Sequence, residues 1–256
     1  VDEADVDVDL PAVHLLEAAA LHRLVDALVG PARRVEVDVD GLSVRLRGRQ
    51  RLTAGDFEIP GDISSAAFWL AAGASLSGSE IVIDGVGLNP TRTSLFDVLR
   101  RMGASLEVEP QAGVRGEPIG RVVVRHGSPR PAVIAPEEVP GVIDELPVLA
   151  ALATAGGDLR VTGAQELRVK ESDRISALAE GLRRMGGDID EFPDGFHVHG
   201  ARPLTGGTVD AHHDHRLAMA FAIAALSAQG PTTISGAEAA AVSYPEFFPV
   251  LDALRA

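Results

Sequence analysis

Along most of this chain apolar positions recur in two registers, and the register switches at regular intervals. Stretches with a period near 3.6 alternate with short runs of period two. The clearest helical stripe is Ile175, Leu178, Ala179, Leu182 and Met185, closed by Gly186-Gly187. A period-two run follows it. Asp188-Ile189-Asp190, the turn Pro193-Asp194-Gly195 and the return Phe196-His197-Val198 predict a hairpin. In that turn Pro sets φ, Asp can bond its own backbone, and Gly permits positive φ.

The same succession occurs earlier in the chain. Leu99-Arg100-Arg101-Met102-Gly103 matches Leu182-Arg183-Arg184-Met185-Gly186. A hairpin is again predicted behind it, through Leu106-Glu107-Val108 and Val122-Val123-Val124. Upstream of each copy an Asp opens an Ala-rich apolar helix, and a short strand ending in Gly comes next. Asp62 leads to Ile81–Gly85, Asp144 to Leu159–Gly163, and Asp214 to Thr232–Gly236. A second helix closes each unit, at Ser94–Met102, Asp173–Met185 and Pro245–Ala256. Asp is a good N-cap, and three related Asp-opened helices would aim their N-termini at one region. For Asp62 a cap alone is expected.

Ahead of these units the pattern changes. Residues 34 to 48 read as a hairpin, Val35–Val39, Asp40-Gly41, then Leu42–Leu46, and residues 50 to 59 read as a connector. Leu15–Val29 is compatible with an Ala/Leu helix, and residues 1–33 carry no recognisable motif. The expected organisation is an unassigned segment 1–33, a hairpin and connector at 34–59, and a three-unit α/β domain at 60–256.

Composition narrows the chemistry. With 46% hydrophobic residues but only 4% aromatic ones, the core is built from Ala, Val, Leu and Ile. There is no cysteine, so disulfides, thiolate metal sites and a Cys nucleophile are excluded. A formal net charge of −14 argues against a nucleic-acid surface. It does not exclude a small anionic ligand, because a few local cations override distant charge. No apolar run is long enough for a membrane helix, and the acidic start is unlike a signal peptide. A cytoplasmic location is the default expectation.

Leu167-Arg168-Val169-Lys170-Glu171-Ser172-Asp173-Arg174-Ile175 is the strongest candidate for chemistry. It puts two cations and one carboxylate at the start of a helix, so that Lys170 and Arg174, four apart, share a face with Glu171 beside them. A helix N-terminus already attracts anions, because its first amides are unpaired and its dipole is positive there. From spacing alone a surface helix with solvated charges is the alternative.

The string itself favours the anion site. It resembles the signature of the 5-enolpyruvylshikimate-3-phosphate synthase family. So do Pro60-Gly61-Asp62-Ile63-Ser64-Ser65-Ala66-Ala67, Asp214-His215-Arg216-Leu217-Ala218-Met219-Ala220 and, less sharply, Asn89-Pro90-Thr91-Arg92-Thr93. The resemblance runs from about residue 34 to the C-terminus. It implies an enolpyruvyl transferase-like α/β domain of three βαβαββ-type pseudo-repeats. No counterpart is found of the family's early Lys-Ser phosphate-binding segment or its Ser-Ser-Gln loop. The chain is therefore expected to correspond to the C-terminal portion of such a protein.

The resemblance also implies a reaction. The enolpyruvyl group of phosphoenolpyruvate is transferred to the 5-hydroxyl of shikimate 3-phosphate by addition, then elimination of phosphate, with no metal or organic cofactor. A base must take the hydroxyl proton, an acid must protonate the alkene carbon, and cations must hold phosphate and carboxylate. By resemblance Asp144 is the base and Glu171 shuttles the proton on the alkene carbon. Lys170 lies on the shikimate side. Arg174 and Arg216 fork onto phosphoenolpyruvate, and His215 donates to the same ligand. Asp144 also has its bland role as an N-cap. The chain departs from the pattern at Val242, where many members carry Lys, and at Glu166, where some carry Asn.

Two other readings stand beside this one. A UDP-N-acetylglucosamine enolpyruvyl transferase would share the fold but often uses a Cys acid, absent here. A non-catalytic half-domain would act as a binding module, self-associate, or need a separate N-terminal partner. Turnover by the purified chain separates the latter from the synthase reading.

Overall fold

The computed structural model describes residues 6–8, 37–40, 43–46, 59–111, 118–200 and 202–254. The helix expected over Leu15–Val29 lies outside the described residues, as does the connector before Ile59. The hairpin expected within 34–48 is present. β2 (Val37–Asp40) pairs antiparallel with β3 (Ser43–Leu46), Val37 opposite Leu46. β1 (Val6–Val8) joins the far side of β3, giving the order β1-β3-β2. A three-residue strand is too short for periodicity to reveal, so β1 has no signature in the hydrophobic pattern.

The rest is a repeated unit. The first comprises α1 (Ile63–Ser75), β4 (Glu80–Gly87), α2 (Ser94–Arg101), β5 (Ser105–Gln111) and β6 (Ile119–Arg125). The second comprises β7 (Pro131–Ile134), α3 (Leu146–Ala153), β8 (Asp158–Val161), α4 (Arg174–Arg184), β9 (Asp188–Phe192) and β10 (Gly195–His199). The third has β11 (Gly207–Asp210), α5 (His215–Ala225), β12 (Thr232–Ser235) and α6 (Phe247–Leu254). In the second unit β7 runs parallel to β8, and β8, β10 and β9 follow as an antiparallel ladder. The first unit keeps this order as β4-β6-β5, with one parallel bridge from Gly61 to Val86 where β7 would stand. In the third unit β11 and β12 form the parallel pair. This is the α/β architecture of βαβαββ-type units expected from the sequence. The strands β7 and β11 are additions, each only four residues long.

The repeated Leu-Arg-Arg-Met-Gly has a physical reason. Both copies end a helix in the same cap. Gly103 and Gly186 take φ of +101° and +88°. The next amides then bond back to Leu99 and Leu182 carbonyls, at 3.0 and 2.8 Å. Only Gly adopts that left-handed position without strain, so the motif marks the stop of each outer helix.

Two kinds of helix result. α1, α3 and α5 are apolar nearly all round and pack on one another in the interior. All eight residues of α3 are buried. α2 and α4 are amphipathic, burying Leu95, Phe96, Val98 and Leu99, and Ile175, Leu178, Ala179 and Leu182. Each covers one side of the inner bundle. Full burial of a side chain such as Leu149, Phe196 or Phe221 stabilises the fold by about 1.5–3 kcal/mol relative to exposure. Gly181 of α4 lets that helix seat directly on the Phe221 ring of α5. No helix of the described residues is long and apolar enough to cross a membrane.

Candidate active site

The inner helices bring their N-terminal ends together, and the charged residues sit there. α1 is capped by Asp62, whose carboxylate accepts from the amides of Ser64 and Ser65 at 3.2 and 2.9 Å. That is the plain capping role expected of it. α5 is capped by Asp214, which accepts from Arg216 and Leu217 amides at 2.9 and 3.4 Å. α3 departs from the expected pattern. Its cap position is Glu145, with no side-chain cap bond, and Pro147 occupies the first turn. Proline has no N–H to offer a cap. Asp144 therefore is not the N-cap foreseen for it. It lies in a 3-10 turn one residue earlier, its carboxylate turned toward two arginines.

The Lys170–Arg174 run also differs from the expected geometry. Gln165–Val169 forms a 3-10 turn, Lys170 is extended, and α4 begins only at Arg174. Lys170 and Arg174 thus do not share a helical face. The reason is Asp173, which accepts from the Ser176 amide at 3.1 Å and starts the helix after itself. Lys170 instead turns back to Glu166, Nζ to Oε1 2.7 Å. Arg168 anchors the preceding turn. It donates to Asp173, Ser176 and Glu191 and to the carbonyls of Pro193 and Phe192.

Arg174 is the hub. Its side chain is only 1% exposed. Nε donates to Asp214 Oδ2 at 2.7 Å, Nη2 donates to Glu171, and Nη1 stands 3.6 Å from Asp144 Oδ1. Asp214 is completely buried and also accepts from the Ser172 hydroxyl at 3.0 Å. Burial raises the Asp214 carboxyl, but the Arg174 bond and charge, Ser172 and the Arg216 amide together hold it below its usual value. Arg216, from the first turn of α5, approaches Asp144 from the other side. Nη1 donates to the Asp144 carbonyl at 3.0 Å, and Nη2 is 3.6 Å from Oδ2. His215 sits beside it, its imidazole lowered by burial and by the Arg216 charge, and so neutral near pH 7.

Asp144, Glu171, Arg174, His215 and Arg216 are therefore one cluster, assembled from three chain segments. Lys170 stands at its edge on the loop that carries Glu171. The two cations of the cluster are already matched by its own carboxylates, which no local sequence pattern reports. Asp144, Glu171 and Asp214 present three carboxylates to the two guanidiniums of Arg174 and Arg216. An anionic ligand must displace a carboxylate to reach Arg174. Glu171, half exposed, can swing away at little cost, whereas Asp214 cannot. The arrangement leaves Asp144 between two cations as an oriented acceptor.

A second buried group adjoins the first. Glu145 accepts a hydrogen bond from the Ser64 hydroxyl, Ser64 accepts from Arg92 at 2.8 Å, and Arg92 stands 3.9 Å from Glu145. Burial raises the Glu145 carboxyl above its usual value, against the pull of Ser64, Arg216 and Arg92. Ser64 and Arg92 lie in motifs visible in the sequence, but nothing there assigned them a partner. Glu145 had one available signal: a second carboxylate beside Asp144 at the head of an otherwise apolar helix.

Comparison with known proteins bears on this cluster. A model of the family described as EPSP synthase (3-phosphoshikimate 1-carboxyvinyltransferase) matches residues 23–251. A 3-phosphoshikimate 1-carboxyvinyltransferase of Synechococcus sp. (strain JA-3-3Ab) is 49% identical over 221 residues, covering 86% of this chain and 50% of that protein. One from Synechocystis sp. is 45% identical over 250 residues, covering 97% and 55%. The structure of EPSP synthase from Acinetobacter baumannii superposes with a TM-score of 0.84 at 36% identity, covering 98% of this chain and 56% of that one. The enolpyruvyl transferase NikO from Streptomyces tendae shares the fold, with a TM-score of 0.64 at 23% identity over 86% of this chain and 50% of that one. The chain spans about half the length of the curated relatives it matches.

Proposed function

The chain belongs to the EPSP synthase family, and from that premise we propose that its Arg174–Arg216 cluster serves the transfer of the enolpyruvyl group of phosphoenolpyruvate to the 5-hydroxyl of shikimate 3-phosphate. The observation that carries the proposal is the position of Asp144. It lies between Arg174 and Arg216, at 3.6 Å from each, with Glu171 on the outer arm of Arg174. Acid–base chemistry on an anion needs these parts: a held acceptor, a movable carboxylate and two forks for oxyanions.

Each residue then has a role. Asp144 accepts the proton of the 5-hydroxyl as that oxygen bonds to the central carbon of phosphoenolpyruvate. Glu171, released from Arg174 and protonated from solvent, gives that proton to the terminal alkene carbon in the addition. It takes one back from the same carbon as the bond to the phosphate oxygen breaks, and Asp144 passes the hydroxyl proton to the leaving phosphate, so both carboxyl groups end as they began. Arg174 and Arg216 bind the phosphate and carboxylate of phosphoenolpyruvate, and neutral His215 donates beside them. Lys170 leaves Glu166 to meet the shikimate side. Asp214 holds Arg174 in place and touches no substrate. The N-termini of α4 and α5 add positive potential where the phosphate is bound and released.

Titration calorimetry with phosphoenolpyruvate tests this. The chain should bind it, and Arg216→Ala should weaken binding by at least tenfold while leaving the urea midpoint within about 0.5 M. Equal affinity in Arg216→Ala would refute the assignment of this cluster.

A further inference from the structure

A separate group of side chains lies on the solvent face of the sheet β7-β8-β10-β9, away from the helix N-termini. Strand alternation places it there. Phe196 and Val198 of β10 point into the core, so His197 and His199 point outward together. The register sets Asp158 of β8 opposite His199, and Asp190 of β9 opposite His197. Leu159 and Ile189 face the core, so Asp158, Asp188 and Asp190 share the outer face with the two histidines.

The contacts among them are close. His197 Nε2 is 2.9 Å from Asp158 Oδ1, and His199 Nδ1 is 3.8 Å from Asp158 Oδ2. The two imidazole centroids are 3.9 Å apart. One ligand atom from each of Asp158, His197 and His199 lies within 4.8 Å of the others. Four-coordinate zinc with bonds of about 2.0–2.1 Å puts its ligand atoms about 3.4 Å apart, so small side-chain rotations close the difference. Furthermore, the outer nitrogen of His199, Nε2, is held by Asp190 Oδ2 at 2.9 Å. A carboxylate on the far nitrogen of a histidine fixes its tautomer and leaves the near nitrogen as a lone-pair donor.

From this geometry we propose that Asp158, His197 and His199 form a binding site for a divalent transition-metal cation of the Zn2+ class, with Asp190 as the group that orients His199. Pairwise ion pairs account for each contact but not for their common focus. One cation between the two imidazoles would engage both of them and Asp158. Imidazole nitrogen selects Zn2+, Cu2+ or Ni2+ over Mg2+ or Ca2+. Water or a carboxylate completes the coordination. The site ties the start of β8 to β10.

The untagged full chain with ZnCl2 alone provides the test. Calorimetry should show one equivalent bound at micromolar affinity or tighter, unaffected by millimolar Mg2+. His197→Gln and His199→Gln should each weaken it at least tenfold. Asp190→Asn should weaken it about tenfold while keeping the stoichiometry, the usual effect of losing an orienting carboxylate. His212→Gln, a histidine outside the group, should change nothing. His197, His199 and Asp190 lie on the outer face of the sheet, and metal-free urea midpoints report directly whether each variant folds. In wild type, the imidazole nitrogen resonances of His197 and His199 should shift on adding Zn2+. Absence of saturable binding below about 1 mM, affinity unchanged in both His variants, or unmoved imidazole resonances would each overturn the proposal.

Discussion

Replacing Asp214 with alanine should be among the most destabilising single changes available in this domain. The reason is what the carboxylate holds. It accepts from two helix amides of α5, and it is the fully buried partner of a guanidinium that is 1% exposed. Loss of an N-cap costs about 1 kcal/mol. Leaving one member of a buried pair uncompensated costs about 3–5 kcal/mol. Arg174 keeps Glu171 and a distant Asp144, so the lower end applies, and the total is about 4 kcal/mol. For a chain of this size that is a fall in Tm of about 10 °C, or about 1.5 M in the urea midpoint. Asp62→Ala is the internal control. Asp62 caps α1 through two amides in the same way but holds no buried cation, so its loss should cost only about 1 kcal/mol. The double variant Arg174→Met, Asp214→Leu removes both charges and should recover most of the pair's share, because apolar replacement of a buried ion pair is often neutral. Urea unfolding of the four proteins at pH 7 measures all of this. Equal losses in Asp62→Ala and Asp214→Ala would refute the hub role assigned to the Arg174–Asp214 pair.

Acid should act through the same group. The Asp214 carboxyl is depressed in the folded chain and ordinary when unfolded, near about 3.9. Its contribution is present above that value and is lost as pH falls through the lower folded value, where the unfolded chain takes up the proton first. Urea midpoints from pH 5 to 3 should therefore fall more steeply in wild type than in Asp214→Ala, and parallel slopes would contradict the linkage. Gly181→Ala should cost about 1–3 kcal/mol despite better helix propensity. The added Cβ would lie 2.2 Å from Phe221 Cζ, and Phe221 is fully buried. Adding Phe221→Leu should restore part of the loss.

Periodicity and turn chemistry made the larger elements legible. α4 and the β9–β10 hairpin could be read from the 175–198 pattern because an amphipathic stripe, a Gly stop and a Pro-Asp-Gly turn all agree there. β7 and β11 could not, since four residues of Pro-Ala-Val-Ile or Gly-Thr-Val-Asp carry no period. The membership of the charged cluster was also legible, through motif resemblance: Asp144, Glu171, Arg174, His215 and Arg216 do meet. Its internal geometry was not. Whether Asp144 caps a helix is decided by Pro147, and whether Lys170 joins Arg174 on one face is decided by where Asp173 starts α4. The burial of Arg174 against Asp214 depends on two segments forty residues apart, which no local pattern reports.

The proposed chemistry on phosphoenolpyruvate runs through Glu171 at the Arg174–Arg216 cluster. The most direct measurement is phosphate release from phosphoenolpyruvate that depends on shikimate 3-phosphate. It should be made with residues 60–256 exchanged for the matching residues of the Synechocystis relative. The chimera should release phosphate at a rate within about tenfold of that relative. Glu171→Gln in it should lower kcat by about a hundredfold or more, the usual loss for a positioned acid–base group, with an unchanged urea midpoint. The exposed Asp97→Asn should leave the rate unaltered. A folded chimera with no dependence on shikimate 3-phosphate, or a Glu171→Gln variant as fast as its parent, would contradict the account.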